Sequence, residues 1–225
     1  MRAHRLALAA AFALAASPAF ARPVLVELFT SQSCSSCPPA NALLGVLKAQ
    51  DKDILPLSFD VTYWNDLGWK DTDSLPGATD RQDWYASLRH STEVYTPEAV
   101  VDGQSQLVGS HAAELRAAIK SAKAAPAGNV AIGISGQNQL GISVAAGKGT
   151  GSVLLVGYDD QHRTHVGAGE NGGVLITEVN VVRAMVPLGA WSGAALQLRA
   201  PRPVGQHVAV ILQGADGHVL GLAAR

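Results

Sequence analysis

The sequence predicts an α/β layer carrying a close pair of cysteines, followed by a β-rich extension. Three observations lead there. Residues 22–123 alternate apolar, strand-like runs with helix-like segments. From about residue 124 the chain turns glycine-rich and almost loses its helix signals, while short β-type runs recur between turn residues. The only two cysteines form Cys34-Ser35-Ser36-Cys37, at the junction of the first strand-like run with the first helix-like segment. That strand–CxxC–helix order reads as a redox motif rather than a metal knuckle.

The elements follow in order. Arg2, His4 and Arg5 precede an apolar stretch, Leu6 to Ala16, and Ala19-Phe20-Ala21 is a small-x-small cleavage site. Residues 1–21 therefore read as a secretory signal peptide, too short for a membrane span. The mature chain is expected to be secreted or periplasmic, in a disulfide-permissive space and without a membrane span. It has 15 basic against 18 acidic groups, a net charge of −3 with no basic stripe, which argues against nucleic acid as a partner.

Val24 to Phe29 reads as a buried strand, and Pro38 to Lys48 as a helix with Leu43, Leu44 and Leu47 on one face. Ile54 to Val61 is a second strand, and Arg81 to Leu88 a helix. Ala99 to Val101 is a short strand ending at the hairpin signal Asp102-Gly103. Ser110 is the N-cap candidate for a helix through Leu115 and Ile119. Ala124 to Asn129 is the boundary candidate, separating domains 22–123 and 124–225. The second region carries β-type runs at 130–134, 140–144, 152–158, 174–182, 194–198 and 208–212, suggesting an antiparallel sheet or sandwich.

Thiol exchange needs a thiolate, so a cysteine pKa must fall from about 8.5, and a helix N-terminus supplies the field that lowers it. Pro38 and Pro39 fit only a first helical turn. Cys34 then stands just ahead of the helix as the attacking thiol, with Cys37 as the resolving one. A structural disulfide, inert thiols or half a metal site are the competing readings, although zinc wants four ligands and no second CxxC exists.

Glu27, inside the first apolar strand, is either a proton-carrying carboxyl beneath the CxxC or an outward-facing strand residue. Thr96-Pro97 marks the entry to the strand 99–101. Trp64 and Trp69 either line a substrate groove beside Cys34 or pack an insertion. Lys70 and Arg81 either support a thiolate or simply solvate, and His162 with His165 makes at most a partial metal site. Glu170-Asn171 before Gly172-Gly173 reads as turn chemistry. No cofactor is implied, since no glycine-rich phosphate loop follows the first strand.

Together, Val26-Glu27-Leu28-Phe29, the CxxC, and Thr96-Pro97 before a strand ending in Asp102-Gly103 resemble the thioredoxin-like fold. More narrowly, the set Glu27 to Gln32, Cys34 to Pro39, Tyr63-Trp64, Leu67 to Asp71, Arg81-Gln82, Tyr95-Thr96-Pro97, Glu170 to Gly172 and Asn180 to Arg183 resembles an exported bacterial family known only as domain-of-unknown-function family 1223. The resemblance implies a thioredoxin-like layer in which Glu27, the CxxC and a cis Pro97 face one another. It implies an exported thiol–disulfide oxidoreductase acting on a protein or small thiol/disulfide substrate. Cys34 would attack, Cys37 resolve, Glu27 move protons and Thr96-Pro97 dock substrate backbone. The chain departs from that pattern with Asp60 and Thr62 where a histidine and an aspartate are expected, and with Glu98 where a glutamine is expected. The alternative is a binding module, either a copper chaperone or a protein-interaction scaffold, with a non-catalytic CxxC.

Overall fold

The computed structural model describes residues 22–125 and 130–225, so the signal-peptide expectation and most of the boundary stretch lie outside the described residues. The chain is mixed α/β, dominated by one large sheet. Strand β1 (Val24–Thr30) leads through the CxxC into helix α1 (Pro38–Gln50), and then come β2 (Ile54–Asp60), α2 (Pro76–Leu88), β3 (Glu98–Val101), β4 (Ser105–Val108) and α3 (Ala112–Ala124). Seven further strands follow: β5 (Ile132–Ser135), β6 (Gln139–Val144), β7 (Gly151–His165), β8 (Leu175–Trp191), β9 (Leu196–Pro201), β10 (His207–Gln213) and β11 (Val219–Ala224). Eight strands form one sheet in the order β11-β10-β7-β8-β2-β1-β3-β4, and β5-β6-β9 form a smaller one.

The seam between the two halves of the chain is β2 against β8, parallel, with Ser58 opposite Val181. Strands on either side of residue 124 thus belong to one hydrogen-bonded surface. β7 and β8 pair antiparallel along almost their whole length. A bulge at Gly157/Tyr158 leaves Arg183 as the extra residue on β8.

Strand alternation decides what each side of the sheet carries. On β1, Val24, Val26 and Leu28 pack with Ala40, Leu44 and Leu47 of α1 and with Leu115 and Ile119 of α3. Leu25 and Phe29 face the other way, into a core with Leu57 and Phe59 of β2 and Ala78 and Tyr85 of α2. On β2 the same parity turns Ile54, Ser58 and Asp60 toward the α1 side. A third core, around Trp191, Leu155 and Val210, joins the small sheet to β7 and β10.

Several expected elements change. α2 begins at Pro76, five residues before the expected start, because proline fits its first turn. α3 is capped by His111 rather than Ser110, without a side-chain cap hydrogen bond. β7 and β8 run far beyond the apolar windows that signalled them, and β4 and β11 carried too little periodicity to be read. Asp102 and Gly103 turn the β3–β4 hairpin with φ of 54° and 71°, the two left-handed positions of a type I′ turn.

Candidate functional site

Cys34 and Cys37 form a disulfide. Cys37 stands at the N-cap of α1, and its carbonyl accepts the N–H groups of Ala40 and Asn41. Pro38 and Pro39 occupy the first helical turn, where their missing N–H groups cost nothing. Ser36 Oγ lies 3.2 Å from Cys34 Sγ and 3.4 Å from the Thr96 carbonyl that it can donate to. The Thr96–Pro97 bond is cis, and the Thr96 carbonyl lies beside the CxxC at the head of β3.

Ser35 and Ser36 are exposed, but both cysteines are fully buried. The far half of the chain reaches the backbone around them. In the loop 166–174, between β7 and β8, Asn171 donates to the carbonyls of Gln32 (3.0 Å) and Cys34 (2.9 Å). Glu170 accepts the Ser35 N–H at 3.1 Å; the Ser35 hydroxyl first, and then this N–H, lower its carboxyl from the ordinary value. The loop is self-bonded, with Gly173 N–H to Val166 O and Val174 N–H to Asn171 O, and Gly169 and Gly173 sit in left-handed turns.

The two tryptophans part company. Trp69 flanks the CxxC: its Nε1 donates to Gln32 Oε1 and its carbonyl accepts Ser33 Oγ at 2.7 Å. Its ring also fills the space beside Gly167, where a Cβ would come within 2.9 Å of it. Trp64 instead packs against the core under α2.

Glu27 lies on the sheet face opposite α1, by the parity given above. Its carboxylate is held by Arg81, through Nε (2.5 Å) and Nη2 (3.1 Å), and by the Tyr85 hydroxyl. Arg81 also donates to Gln213 and lies over the rings of Phe59, Trp84 and Tyr85. The sequence left Glu27 as either a proton-carrying carboxyl beneath the CxxC or an outward-facing strand residue; α1 took the Val26 face, and Glu27 is buried on the opposite one against Arg81 and Tyr85. Glu98 is likewise engaged, by Gln82 (2.6 Å) and Arg89 (3.3 Å), with burial pushing its carboxyl up.

What lies under α1 is a different acidic group. Asp60 and Glu178 are buried together. Asn41, one helical turn after Cys37, donates to Glu178 Oε1 at 3.4 Å and accepts from Thr30 Oγ1 at 3.0 Å. Gln32 Nε2 reaches Glu178 Oε2 (3.5 Å) and Asp73 Oδ2 (3.3 Å). The Asp60 carboxyl oxygens meet no N–H or O–H donor among the described residues and face the Glu178 carboxyl. Burial, then the Glu178 charge, raises Asp60 far above the carboxylate range. Burial and the charges of Asp71 and Asp73 push Glu178 up to about 7, against the opposing pull of its hydrogen bond with Asp60.

Outside this pair, His162 bridges Asp73 (2.8 Å) and Asp159 (2.9 Å), and Arg183 joins Asp159 at 2.7 Å. Burial opposes a charge on His162, yet the two carboxylates hold its pKa above the usual value. His165 ends β7, exposed. Among the described residues no group of three or more His, Cys, Asp or Glu side chains is arranged to hold a metal ion. No helix among them is long and apolar enough to cross a membrane.

The family described as "Protein of unknown function (DUF1223)" matches residues 25–213. The chain belongs to that family. A crystal structure of a protein from Agrobacterium tumefaciens is similar to this DUF1223 protein at 27% identity, covering 91% of this chain and 94% of that one, with a TM-score of 0.75. HBP35 of Porphyromonas gingivalis shares the fold at 12% identity and a TM-score of 0.64, covering 92% of this chain and 75% of that one. No curated protein matches the chain. Sequence reasoning about this DUF1223 protein missed Asp60 and Glu178 as a pair. The one available signal was a lone acid at the same parity in each of two β-type runs, and pairing them needs the β2–β8 contact.

Proposed function

We propose that this protein is an exported thiol–disulfide oxidoreductase of thioredoxin-like type, working through Cys34 and Cys37. One observation carries the reading: the two cysteines are bonded to each other at the N-terminus of α1. Unpaired amides and the helix dipole there favour a thiolate. The strand–CxxC–helix order, and Thr96 beside Ser36 at the head of β3, support the thioredoxin-like part. A substrate thiolate attacks one sulfur of the disulfide, forms a mixed disulfide and is resolved by a second thiol, with Thr96-Pro97 docking substrate backbone.

A second reading has its own observation. Both cysteines are fully buried, and the loop 166–174 is bonded through Asn171 to the Gln32 and Cys34 carbonyls. That favours a thioredoxin-like binding module with a passive disulfide. A glutathione redox titration, scored by thiol alkylation and mass, separates the two. A potential between roughly −270 and −120 mV places the pair among exchanging dithiols, and one below about −300 mV makes it structural.

A further inference from the structure

The α2 side of the large sheet is not filled along its whole length. The pairing of β7 with β8 shifts between Val153 and Leu154, so that Val153 lies opposite Gly189 and Leu154 opposite Pro187. Gly189 brings no side chain, and a Cβ there would meet nothing within 4 Å. Helix α2 faces this stretch with Asp80, Arg81 and Trp84, and the sheet contributes Leu154, Met185 and Pro187. A cavity of about 370 Å³ remains between them. That size falls in the range of small-molecule sites, ~300–1,000 Å³. Its mouth meets solvent, because Asp80, Ser152, Pro187 and Gly189 are exposed.

Arg81 makes this more than an apolar gap. A guanidinium carries five N–H donors in a fixed fork. Here Nε and Nη2 are engaged by Glu27, Tyr85 and Gln213. Nη1 has no hydrogen-bond partner among the described residues. The Arg81 side chain is only 8% exposed, yet Nη1 is not sealed in. The fully buried side-chain atoms without a partner belong to Asp60, Trp64, Thr96, Asn180 and Trp191. Nη1 therefore keeps an opening, and the cavity that Arg81 lines provides it. Three partners fix the guanidinium in place, so meeting a ligand would cost it little further freedom.

Charge decides which acceptor fits. Glu27 already neutralises Arg81, and Asp80 is the other charged side chain on the lining. The cavity thus offers a donor but no net positive charge. A carboxylate would give up its hydration against a counter-charge that is already spent, which is costly. A neutral carbonyl oxygen can take the Nη1 hydrogen bonds at a much smaller desolvation cost. The rest of such a molecule would lie on Trp84, Leu154 and Met185, and the unbranched Met185 adapts to irregular shapes.

We propose that this cavity binds a small neutral molecule with an apolar body and a carbonyl group, a ketone, ester or amide, whose oxygen accepts from Arg81 Nη1. Trp84, Leu154 and Met185 pack on the core of the α2 side, whereas α1 and the CxxC belong to the opposite side of the sheet. The site is therefore separate from the cysteines, and it stands whether or not they exchange with a substrate.

The test titrates acetophenone into the full chain near neutral pH and follows the Trp84 indole and Arg81 Nε–H signals by proton–nitrogen NMR. Both signals should move together, with a Kd on the order of 1 mM, as ligand efficiency allows for so small a molecule. Benzoate has the same shape with a charge added, and it should bind about 10-fold more weakly or worse. In Glu27→Gln/Arg81→Met both members of the buried ion pair go together, and acetophenone should lose about 10-fold in affinity with the charged donor. Circular dichroism checks that this double variant folds; should it not, the wild-type Arg81 signal decides. Movement of Trp84 without Arg81, or equal affinity in the folded double variant, reduces the site to an apolar cleft and overturns the proposal. Tighter binding of benzoate than of acetophenone overturns the neutral ligand. No movement of either signal at the highest soluble acetophenone concentration overturns the site itself.

Discussion

Glu27→Gln separates a structural carboxylate from a proton carrier. Glu27 is fully buried and the Arg81 side chain 8% exposed, so the change leaves a guanidinium in the core without its counter-charge. Removing one partner of a buried ion pair costs about 3–5 kcal/mol. The amide oxygen and Gln213 still accept from Arg81, which favours the lower end. For a chain of this size about 1 kcal/mol moves Tm by roughly 2–4 °C, so the expected loss is roughly 6–20 °C. Differential scanning calorimetry reads it, and a glutathione titration of the same variant reads the dithiol. Because the sheet separates Glu27 from α1, the potential should move by less than about 30 mV, the equivalent of ~1.4 kcal/mol. Adding Arg81→Met, which removes the stranded charge, should recover most of the loss. A Tm drop under about 2 °C, or a potential shift well above 30 mV, would refute the placement of Glu27 as a structural carboxylate held by Arg81 and Tyr85 away from α1.

Asn171→Ala removes two hydrogen bonds that tie the loop 166–174 to Gln32 and Cys34, at a cost of about 1–3 kcal/mol by urea unfolding. If the loop limits access, it should also speed alkylation of the reduced cysteines. The acid pair predicts a pH dependence of stability. Glu178 is raised from its ordinary value to about 7 in the folded state, so its contribution, about 3 kcal/mol, is fully present below about pH 4. It is lost as pH rises to about 7. Urea midpoints across that range should fall more steeply for the wild type than for Asp60→Asn. His162, raised by Asp73 and Asp159, should titrate above its ordinary 6.5 by proton NMR, and Asp73→Asn should bring it down. The stability it adds is present below pH 6.5 and lost as pH rises through its folded value.

The first third of the chain was legible because local signals and tertiary roles agree there. The apolar run 24–29 became β1, two prolines marked the start of α1, and Asp102-Gly103 made the hairpin turn. Glu27 was visible as a buried acid, but its face was not. A period of two gives alternation without saying which side a helix will cover, and α1 covered the side of Val26 and Leu28. The long hairpin was half legible. The segments 152–158 and 174–182 are apolar; Asp159 to His165 continues β7 through cross-strand pairing rather than hydrophobic pattern, and Arg183 to Trp191, though mostly apolar, is interrupted by Pro187 and Gly189. Asp60 and Glu178 were unreadable as a pair because they lie 118 residues apart and meet only through the single seam of β2 with β8.

That seam changes what the β-rich half is for. β8 closes the edge of β2, carries Glu178 into the space under α1 and holds Arg183 in the network around Asp73. The loop that joins β7 to β8 then lies across Cys34 and Ser35. Residues beyond 158 thus supply Glu178 to the buried acid pair that Asp60 begins on β2, and Asn171 and Glu170 to the backbone of Gln32, Cys34 and Ser35. The polar end of β7, Asp159 to His165, would be a poor strand without its pairing to β8. On β8, Glu178 meets Gln32 and Asn41 and Arg183 meets Asp73, each more than a hundred residues earlier, so this buried polar group lies at the contact between the two halves rather than in either one.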